Sequence, residues 1–582
     1  MIFKLKPYSW IVVLFVALAV FVRVWKFDQI PPSPYWEEVA LGYDAYAVLE
    51  TGMDHHGNSL PVVAFESFGD WKPAFYFYTV VPFIKLVGLN VWAVRLPSLL
   101  SGIAIIFGIG YLTNWLVSLI SSKNVSRLEF KMSWPMAVGL GVATFSPWLI
   151  QFSRGGWESN LATALMLWGV LLLLNRQRLA RQLLGVLLLA LAMYTYHAAR
   201  VIAPYLFSSA LIWEFLNRVR PQRRLTVFAA GLKQFCLVRR TYLLLGVFFC
   251  LLIPFLLPGQ AQKISHRFTE TSIFADLSPI IESNLRQERA GHSLLSRIVF
   301  HRYRYFGQQI LSQIFIHFSP DYLFLSGDIN LRHSPGLGGI ILPLNAILLI
   351  WGGVTLISHH KKGALFFFGW LFVTILPAAT SAAVPHALRT LASAPVYLSL
   401  IGLGWWQAVG LLRSRLNKRS WWFKVLVSLL ILIYSFFFLR YYLYYIHVYP
   451  LVSASQWQYG YERMIKSVVD REAVSPDKQV YISRQVGRPA MYYWFYTQTD
   501  PREVQSAQST AKKDQGEFLE FTNKVFIDDL NQVPTNSVIL ALTDAQYQRY
   551  SQSVADLNDK LIFNLEIQDL NQNTIWHVLE LR

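Results

Sequence analysis

Residues 8–25, YSWIVVLFVALAVFVRVW, run almost directly into residues 31–46, PPSPYWEEVALGYDAY. The first stretch is apolar and long enough to cross a hydrocarbon core as a helix. The second opens on prolines and then sets two acids side by side, Glu37 and Glu38. Carboxylates this close to a bilayer are costly and tend to mark function. What the chain is, and where its chemistry lies, both turn on which side of the membrane these acids occupy.

The rest of the chain repeats the first stretch. Of its 582 residues 54% are hydrophobic and only 15% charged, where a soluble chain has about 25% charged. Eleven apolar runs read as spans, near 8–25, 96–118, 134–152, 159–174, 182–197, 201–216, 241–258, 338–357, 364–381, 391–411 and 425–445. This is a polytopic α-helical membrane protein. The first span has a basic start, Lys4 and Lys6, with no small-residue cleavage site, and reads as an anchor. The apolar stretch 74–87, AFYFYTVVPFIKLV, is short, broken by Pro82 and charged at Lys85. It reads as an amphipathic helix at the interface.

Charge tests the count. A net charge of +18 would suit nucleic acid, but the basic residues gather in short loops between spans. With the N-terminus cytoplasmic, Lys123, Arg127, Lys131, Arg176, Arg178 and Arg181 lie inside. So do Arg218, Arg220, Arg223, Arg224, Lys233, Arg239, Arg240, Lys361, Lys362, Arg413, Arg415, Lys418, Arg419 and Lys424. The short outside loops hold only Arg154, Arg200 and Arg389. Membrane topology explains this asymmetry, and nucleic acid is set aside as a partner. A twelfth span at 74–87 would invert every later loop. The two cysteines, Cys236 in a basic loop and Cys250 in a span, do not suggest a disulfide framework.

This topology expects a membrane domain over 1–445, with external loops 26–95 and 259–337, and an extracytoplasmic domain over 446–582. The tail alternates strand-like runs, KQVYISR, NKVFIDD, SVILALT and IWHVLEL, with helical stretches at 451–469 and 486–496. It reads as a small α/β domain.

The same topology collects the conspicuous ionisable residues on one side. Outside lie Glu37, Glu38 and Asp44, then Arg154 with Glu158, His197 with Arg200, Asp328, Arg332 and His333, and His386 with Arg389. Each taken singly has a bland reading. Arg154 and Glu158 suit an intrahelical pair, Arg200 and Arg389 suit snorkelling, and Asp328 suits a turn. Glu37 and Glu38 suit a helix start, and His197 and His386 suit satisfied interfacial histidines. The bland readings do not predict a shared side. Guanidinium and imidazole groups suit a phosphate, and a carboxylate beside them suits a general base. A phosphate at membrane depth suggests a lipid phosphate. The chemistry that joins these is glycosyl transfer from a lipid phosphate, with the departing phosphate stabilised by the cations.

At this point the motifs resemble a family. WEEVALGYDAYAVLETGMDHHGNSLP, DWKPAFYFYTVVPFIKLVGLNVWAVRLPSLLSG, FSPWLIQFSRGGWE, YTYHAARVIAPYL, SPDYLFLSGDINLRHSPGLGG and PHALRTLASAPVYLSLIGLG together resemble the C-type (GT-C) membrane glycosyltransferases. The likeness is to the bacterial members of the protein O-mannosyltransferase and aminoarabinose transferase superfamily, over roughly residues 8–445. It implies a GT-C fold and a first external loop with two interfacial helices. It also implies an inverting transfer from a polyprenyl-phosphate sugar to an acceptor hydroxyl at the outer face. The family's acidic pair is Asp-Glu; here it is Glu37-Glu38, so the usual base is one methylene longer. Asp44, seven residues on, is the reserve base. Lys72 matches a family position near the donor phosphate, and Arg95 matches another. No cofactor is expected. His55 and His56 beside Asp54 are of a type that ligates metal but read better as a solvated turn, and no obligatory metal is expected. The expected partners are a polyprenyl-phosphate sugar, an extracytoplasmic acceptor (protein, glycan or lipid) and the bilayer. The alternative is a transporter or flippase of lipid-linked glycans. Transporters, however, place ionisable residues near the midplane, often with paired repeats.

Overall fold

The computed structural model describes residues 6–121, 128–175, 178–218, 239–416, 420–554 and 556–582. Lys4, Lys123, Arg127, Arg176, Arg220, Arg223, Arg224, Lys233, Cys236, Lys418 and Arg419 lie outside the described residues. Seven helices are long and apolar enough to cross a membrane: Pro7–Val24, Val91–Ser121, Glu158–Asn175, Ala199–Leu216, Lys361–Ala379, Leu391–Arg415 and Trp421–His447. The other four expected spans fall on shorter apolar helices, Trp134–Thr144, Leu179–Met193, Arg240–Leu256 and Asn345–His359. Phe75–Val87 is a 13-residue helix. It buries Tyr76, Phe77, Val80 and Ile84 along one face and exposes Leu86 and Val87 at its end.

Two span boundaries differ from the sequence reading. The run 134–152 is two helices, because Ser146 and Pro147 restart the chain there. Ser146 caps the short helix Pro147–Phe152 through the backbone N–H of Leu149. The residue before a proline avoids the helical region, so the first helix stops at Thr144. The run 338–357 becomes helical only at Asn345, after the glycines and Pro343 of GLGGIILPL.

Contacts within the chain define two compact units. The first holds Met1–Trp25, Ser98–Ser153 and Trp157–Tyr442; the second holds Lys26–Pro97, Arg154–Gly156 and Leu443–Arg582. Compactness therefore groups the stretch Lys26–Pro97 with the tail, a different line from the sequence division at 445. In the first unit, helices Asn345–His359 and Ala394–Arg415 cross closely. A Cβ at Gly352 would overlap the carbonyl of Leu400, and one at Gly404 that of Leu348. Small residues at such crossings let backbones approach without a side chain between them. Arg23, buried within Pro7–Val24, hydrogen-bonds the carbonyls of Ala19 and Thr144 and the hydroxyl of Ser153. It thus satisfies an orphan carbonyl at the end of Trp134–Thr144.

The tail in the second unit carries a six-stranded mixed sheet. Its order is Glu520–Phe521, Lys524–Ile527, Gln479–Ser483, Val538–Thr543, Thr574–Leu581, Leu561–Gln568. Gln479–Ser483 pairs in parallel with both neighbours, and the outer pairings are antiparallel. Every residue of Val538–Thr543 (VILALT) is buried, as an unbroken apolar run in a central strand requires. All four expected strands are present. Leu561–Gln568, LIFNLEIQ, is an additional edge strand with one face largely solvated.

Candidate active site

The site begins where the helix Trp36–Thr51 begins. Glu37 and Glu38 occupy its first turn, where carboxylates face the positive end of the helix dipole. The two acids have different surroundings. Glu38 is 1% exposed. It accepts Arg95 Nε at 2.8 Å and Arg95 Nη2 at 3.0 Å, the backbone N–H of Gly156 at 2.6 Å, and that of Tyr35 at 3.3 Å. The remaining Arg95 donors go to the carbonyls of Phe27, Pro31 and Ser33. Every N–H of this guanidinium is therefore taken by the loop itself, in a forked geometry typical of buried Arg–carboxylate pairs. Arg154 is also fully buried and donates to the carbonyls of Ile30 at 3.0 Å and Lys26 at 2.8 Å. It precedes the helix Glu158–Asn175, so Arg154 and Glu158 are not a pair along one helix.

Glu37 is the more open of the pair. Its side chain is 26% exposed, and one oxygen accepts Lys72 Nζ at 2.5 Å. Lys72 itself is buried, on the second strand of the hairpin Ala64–Ser67/Asp70–Pro73. Phe68 and Gly69 at the hairpin tip both have positive φ, 55° and 73°, the backbone of a type I′ turn. A second tip in the tail, Gln515–Gly516, has the same signature at 47° and 75°. The two tips meet backbone to backbone: a Cβ on Gly516 would overlap the amide nitrogen of Gly69. Arg488 ties them from the side. Its guanidinium lies 5.1 Å over the Phe68 ring and donates to Gln515 Oε1 at 3.2 Å. Beneath the second tip, Arg484 bridges Asp514, Glu517 and Asp528. Burial pushes the Glu517 carboxyl up to about 7, although Arg488 and Arg484 pull it down.

Asp44 lies two turns along from Glu37 and is wholly buried. Its Oδ1 meets His55 Nδ1 at 2.6 Å and the His55 N–H at 3.2 Å. Its Oδ2 has no hydrogen-bond partner among the described residues. Burial pushes Asp44 up to about 7, against His56, the His55 N–H and Lys72, which lower it. Burial pushes His55 down to about 4. Both shifts favour the neutral forms of the pair. His55 is 2% exposed, its ring 3.9 Å from that of His56, with its carbonyl held by Gln508. The expected solvated turn at 54–56 is therefore corrected: apolar neighbours such as Trp494 close over it.

The first unit carries the remaining candidates in three groups. Glu158 opens the helix Glu158–Asn175. His197 and Arg200 face each other, Nδ1 to Nη1 at 2.9 Å, where the chain turns after Leu179–Met193. Arg200 Nε also donates to the carbonyl of Met193, while its Nη2 is buried with no hydrogen-bond partner among the described residues. Asp328, His333 and His386 are buried together. Asp328 Oδ2 meets His333 Nδ1 at 3.0 Å and accepts the N–H of Ala387 at 2.8 Å, and the His333 and His386 rings stack at 4.7 Å. Asp328 Oδ1 also accepts the N–H of Asn330, so the turn reading of this residue holds too. Arg332 and Arg389 are half-buried on the same two segments.

No family profile and no curated protein sequence matches the chain. Among solved structures, the chain is similar to ArnT from Cupriavidus metallidurans bound to undecaprenyl phosphate. That match covers 98% of both chains, with 13% identity and a TM-score of 0.50. The apo form of the same protein gives 12% identity and 0.48. The oligosaccharyltransferase AglB from Archaeoglobus fulgidus, in complex with an inhibitory peptide and a dolichol-phosphate, gives 11% and 0.48, over 99% of this chain and 74% of that one. The chain has a GT-C glycosyltransferase fold. Within this GT-C fold the segment 26–95 contains two helices, as the resemblance implies, Trp36–Thr51 and Phe75–Val87.

Sequence reasoning missed several supporting groups of this candidate site. His55 as the partner of Asp44 was visible only as a histidine near acids. The Gly156 N–H carries no side-chain signal at all. The Phe68–Gly69 turn was legible in ESFGDW, where a Gly between alternating residues marks a hairpin. Arg23 was legible as a charge inside a span.

Proposed function

We propose that the chain moves a monosaccharide from a polyprenyl-phosphate carrier to an acceptor hydroxyl at the outer face of the membrane, with inversion at the sugar carbon. The observation that carries this reading is the Glu37–Lys72 pair: a partly exposed carboxylate held against a buried ammonium. Of the three acids, Glu37 has the surface an acceptor needs. Asp44 is wholly buried and Glu38 is filled by Arg95 and backbone N–H groups. We assign Glu37 as general base, Asp44 as the acid that holds the 54–56 turn under it, and Glu38 and Arg154 to holding the loop.

In the proposed step the donor phosphate draws Lys72 away from Glu37, and the freed carboxylate takes the acceptor hydroxyl proton. The acceptor oxygen then bonds the sugar carbon from the face opposite the phosphate. The carbon–oxygen bond to phosphate breaks, and the phosphate leaves with the bond's electron pair. Lys72 offsets its charge, the electrostatic stabilisation of a developing anion. In the first unit we assign Arg200, with its spare Nη2, and His197, Arg332, His333, His386 and Arg389 to the donor's phosphate. Asp328 and Glu158 are assigned to substrate positioning. The fold is shared with a protein whose structure holds undecaprenyl phosphate, which suits this donor class. We further place the N-terminus in the cytoplasm and the tail outside, from the basic loops.

The test uses purified full-length protein with a panel of polyprenyl-phosphate sugars and mass spectrometry of the products. Wild type should yield a glycosylated acceptor and free polyprenyl phosphate. Glu37→Gln should bind the donor and yield neither. Wild-type transfer by Glu37→Gln rejects the base assignment. Lipid-linked sugar crossing vesicles without any bond cleavage rejects transfer in favour of transport.

A further inference from the structure

We propose that Asp328, His333 and His386 form a site for a divalent transition metal of the zinc class. The three come from two segments separated in sequence by the helices Asn345–His359 and Lys361–Ala379. Each offers one ligand atom, and these atoms all lie within 4.8 Å of one another. Asp328 Oδ2 and His333 Nδ1 are 3.0 Å apart. A tetrahedral site with bonds of ~2.0–2.1 Å has ligand–ligand edges of roughly 3.3 Å. One pair is thus near that length already, and the others lie within 4.8 Å. Two imidazoles and one carboxylate select Zn²⁺, Co²⁺ or Fe²⁺ over Mg²⁺ and Ca²⁺, which prefer all-oxygen shells.

The surroundings are built to hold such ligands in place. The Ala387 N–H and the Asn330 N–H fix both oxygens of Asp328. His317 Nδ1 donates to the Gln313 carbonyl at 2.7 Å, so its Nε2 is a lone pair, and that lone pair accepts the backbone N–H of His386 at 3.2 Å. Phe152 stacks on the His333 ring and Trp157 meets it edge-on, 6.4 and 5.8 Å between centroids. Outer contacts of this kind orient ligand rings and raise affinity. Three protein ligands leave a fourth position open, the pattern of reactive rather than purely structural zinc. An oxyanion is the ligand class assigned to it. That it is the donor phosphate rests on the function proposed above; the metal site itself does not.

Cobalt is the probe. Full-length protein in detergent, stripped with chelator, is titrated with Co²⁺ and the visible d–d bands of tetrahedral cobalt are followed. Wild type should bind one Co²⁺ per chain, released by Zn²⁺. His333→Gln and His386→Gln should each bind at least tenfold more weakly, and the double variant should show no band. His55→Gln should titrate as wild type. Elution volume and Tm identify any variant that fails to fold; independently of the cobalt titration, Zn²⁺ should raise the Tm of wild type and leave that of whichever single variant folds unchanged. No band in wild type, or an unchanged titration in the double variant, overturns the site. A cobalt spectrum that undecaprenyl phosphate leaves unmoved overturns only the phosphate assignment, whatever the outcome for Glu37.

Discussion

The stretch Lys26–Pro97 and the segments around 328 and 386, which belong to different compact units, bury carboxylates in opposite ways. In the first, each acid of the Glu37–Glu38 pair is paired with a basic side chain, Lys72 or Arg95, and the guanidinium has no donor left over. In the second, Asp328 is met by an imidazole and a backbone N–H. A guanidinium cannot give up its charge at any working pH, so it locks its partner; an imidazole can lose a proton or take a metal. The first arrangement makes a scaffold with one loosened corner, Glu37. The second leaves its carboxylate beside ring nitrogens with no guanidinium to lock it.

The comparison breaks most sharply at neighbouring acids. Glu37→Gln should lower sugar transfer by about 10²- to 10⁴-fold, the usual span for a lost general base, with Tm unchanged. Lys72→Met should chiefly weaken donor binding, read by titration with polyprenyl phosphate. Glu38→Gln should do the reverse. It leaves Arg95 buried beside a neutral amide, at a cost of about 3–5 kcal/mol, so Tm falls steeply while transfer per folded molecule stays near wild type. A stable but inactive Glu38→Gln would move the base from Glu37 to Glu38.

How much of this was legible follows from where each signal lives. Membrane spans are long apolar runs, and their positions were read well, except where Ser146-Pro147 and the glycines before Pro343 break the helix locally. The acidic pair and Lys72 were legible as motifs, but the difference in burial within the pair was not. It depends on Arg95 and Gly156, distant in sequence, and nothing in WEEVALGY distinguishes the buried acid from the open one. The edge strand Leu561–Gln568 escaped because its alternating apolar and polar residues lie among helix-like neighbours, and pairing with Thr574–Leu581 decides its state. Asp328, His333 and His386 were read as members of one broad outward set of charges, not as a triad in mutual contact. Their meaning as a triad lies in a fold contact that bridges two intervening helices.

A milder test probes whether the tail positions Lys72. Gly516→Ala puts a Cβ onto the Gly69 amide at a backbone φ of +75°. Overlap and strain together cost about 1–3 kcal/mol. The expected signature is a raised KM for donor with a smaller change in kcat, because the hairpin carrying Lys72 shifts while Glu37 stays on its helix. A KM that does not move would restrict the tail to a role away from the hairpin.

The smallest expected effect is a slope. Glu517 has its carboxyl raised to about 7 from an ordinary 4.5, chiefly by burial. Between those values the folded chain holds a proton that the unfolded chain has released, so this group's contribution to stability falls as pH rises from about 4.5 to about 7. Asp44, also raised to about 7, tilts the same way. His55, lowered to about 4 from 6.5, tilts the other way, since there the unfolded chain holds the extra proton. The wild-type profile mixes all three. The difference between wild type and Glu517→Gln isolates one, since Asp44 and His55 are common to both. Thermal unfolding followed from pH 4.5 to pH 7.5 should show the wild type losing stability relative to the variant as pH rises. A difference that stays flat across this range would mean that Arg484 and Arg488 hold Glu517 ionised throughout, and that the tail's second tip is fastened as firmly as the Glu38–Arg95 pair.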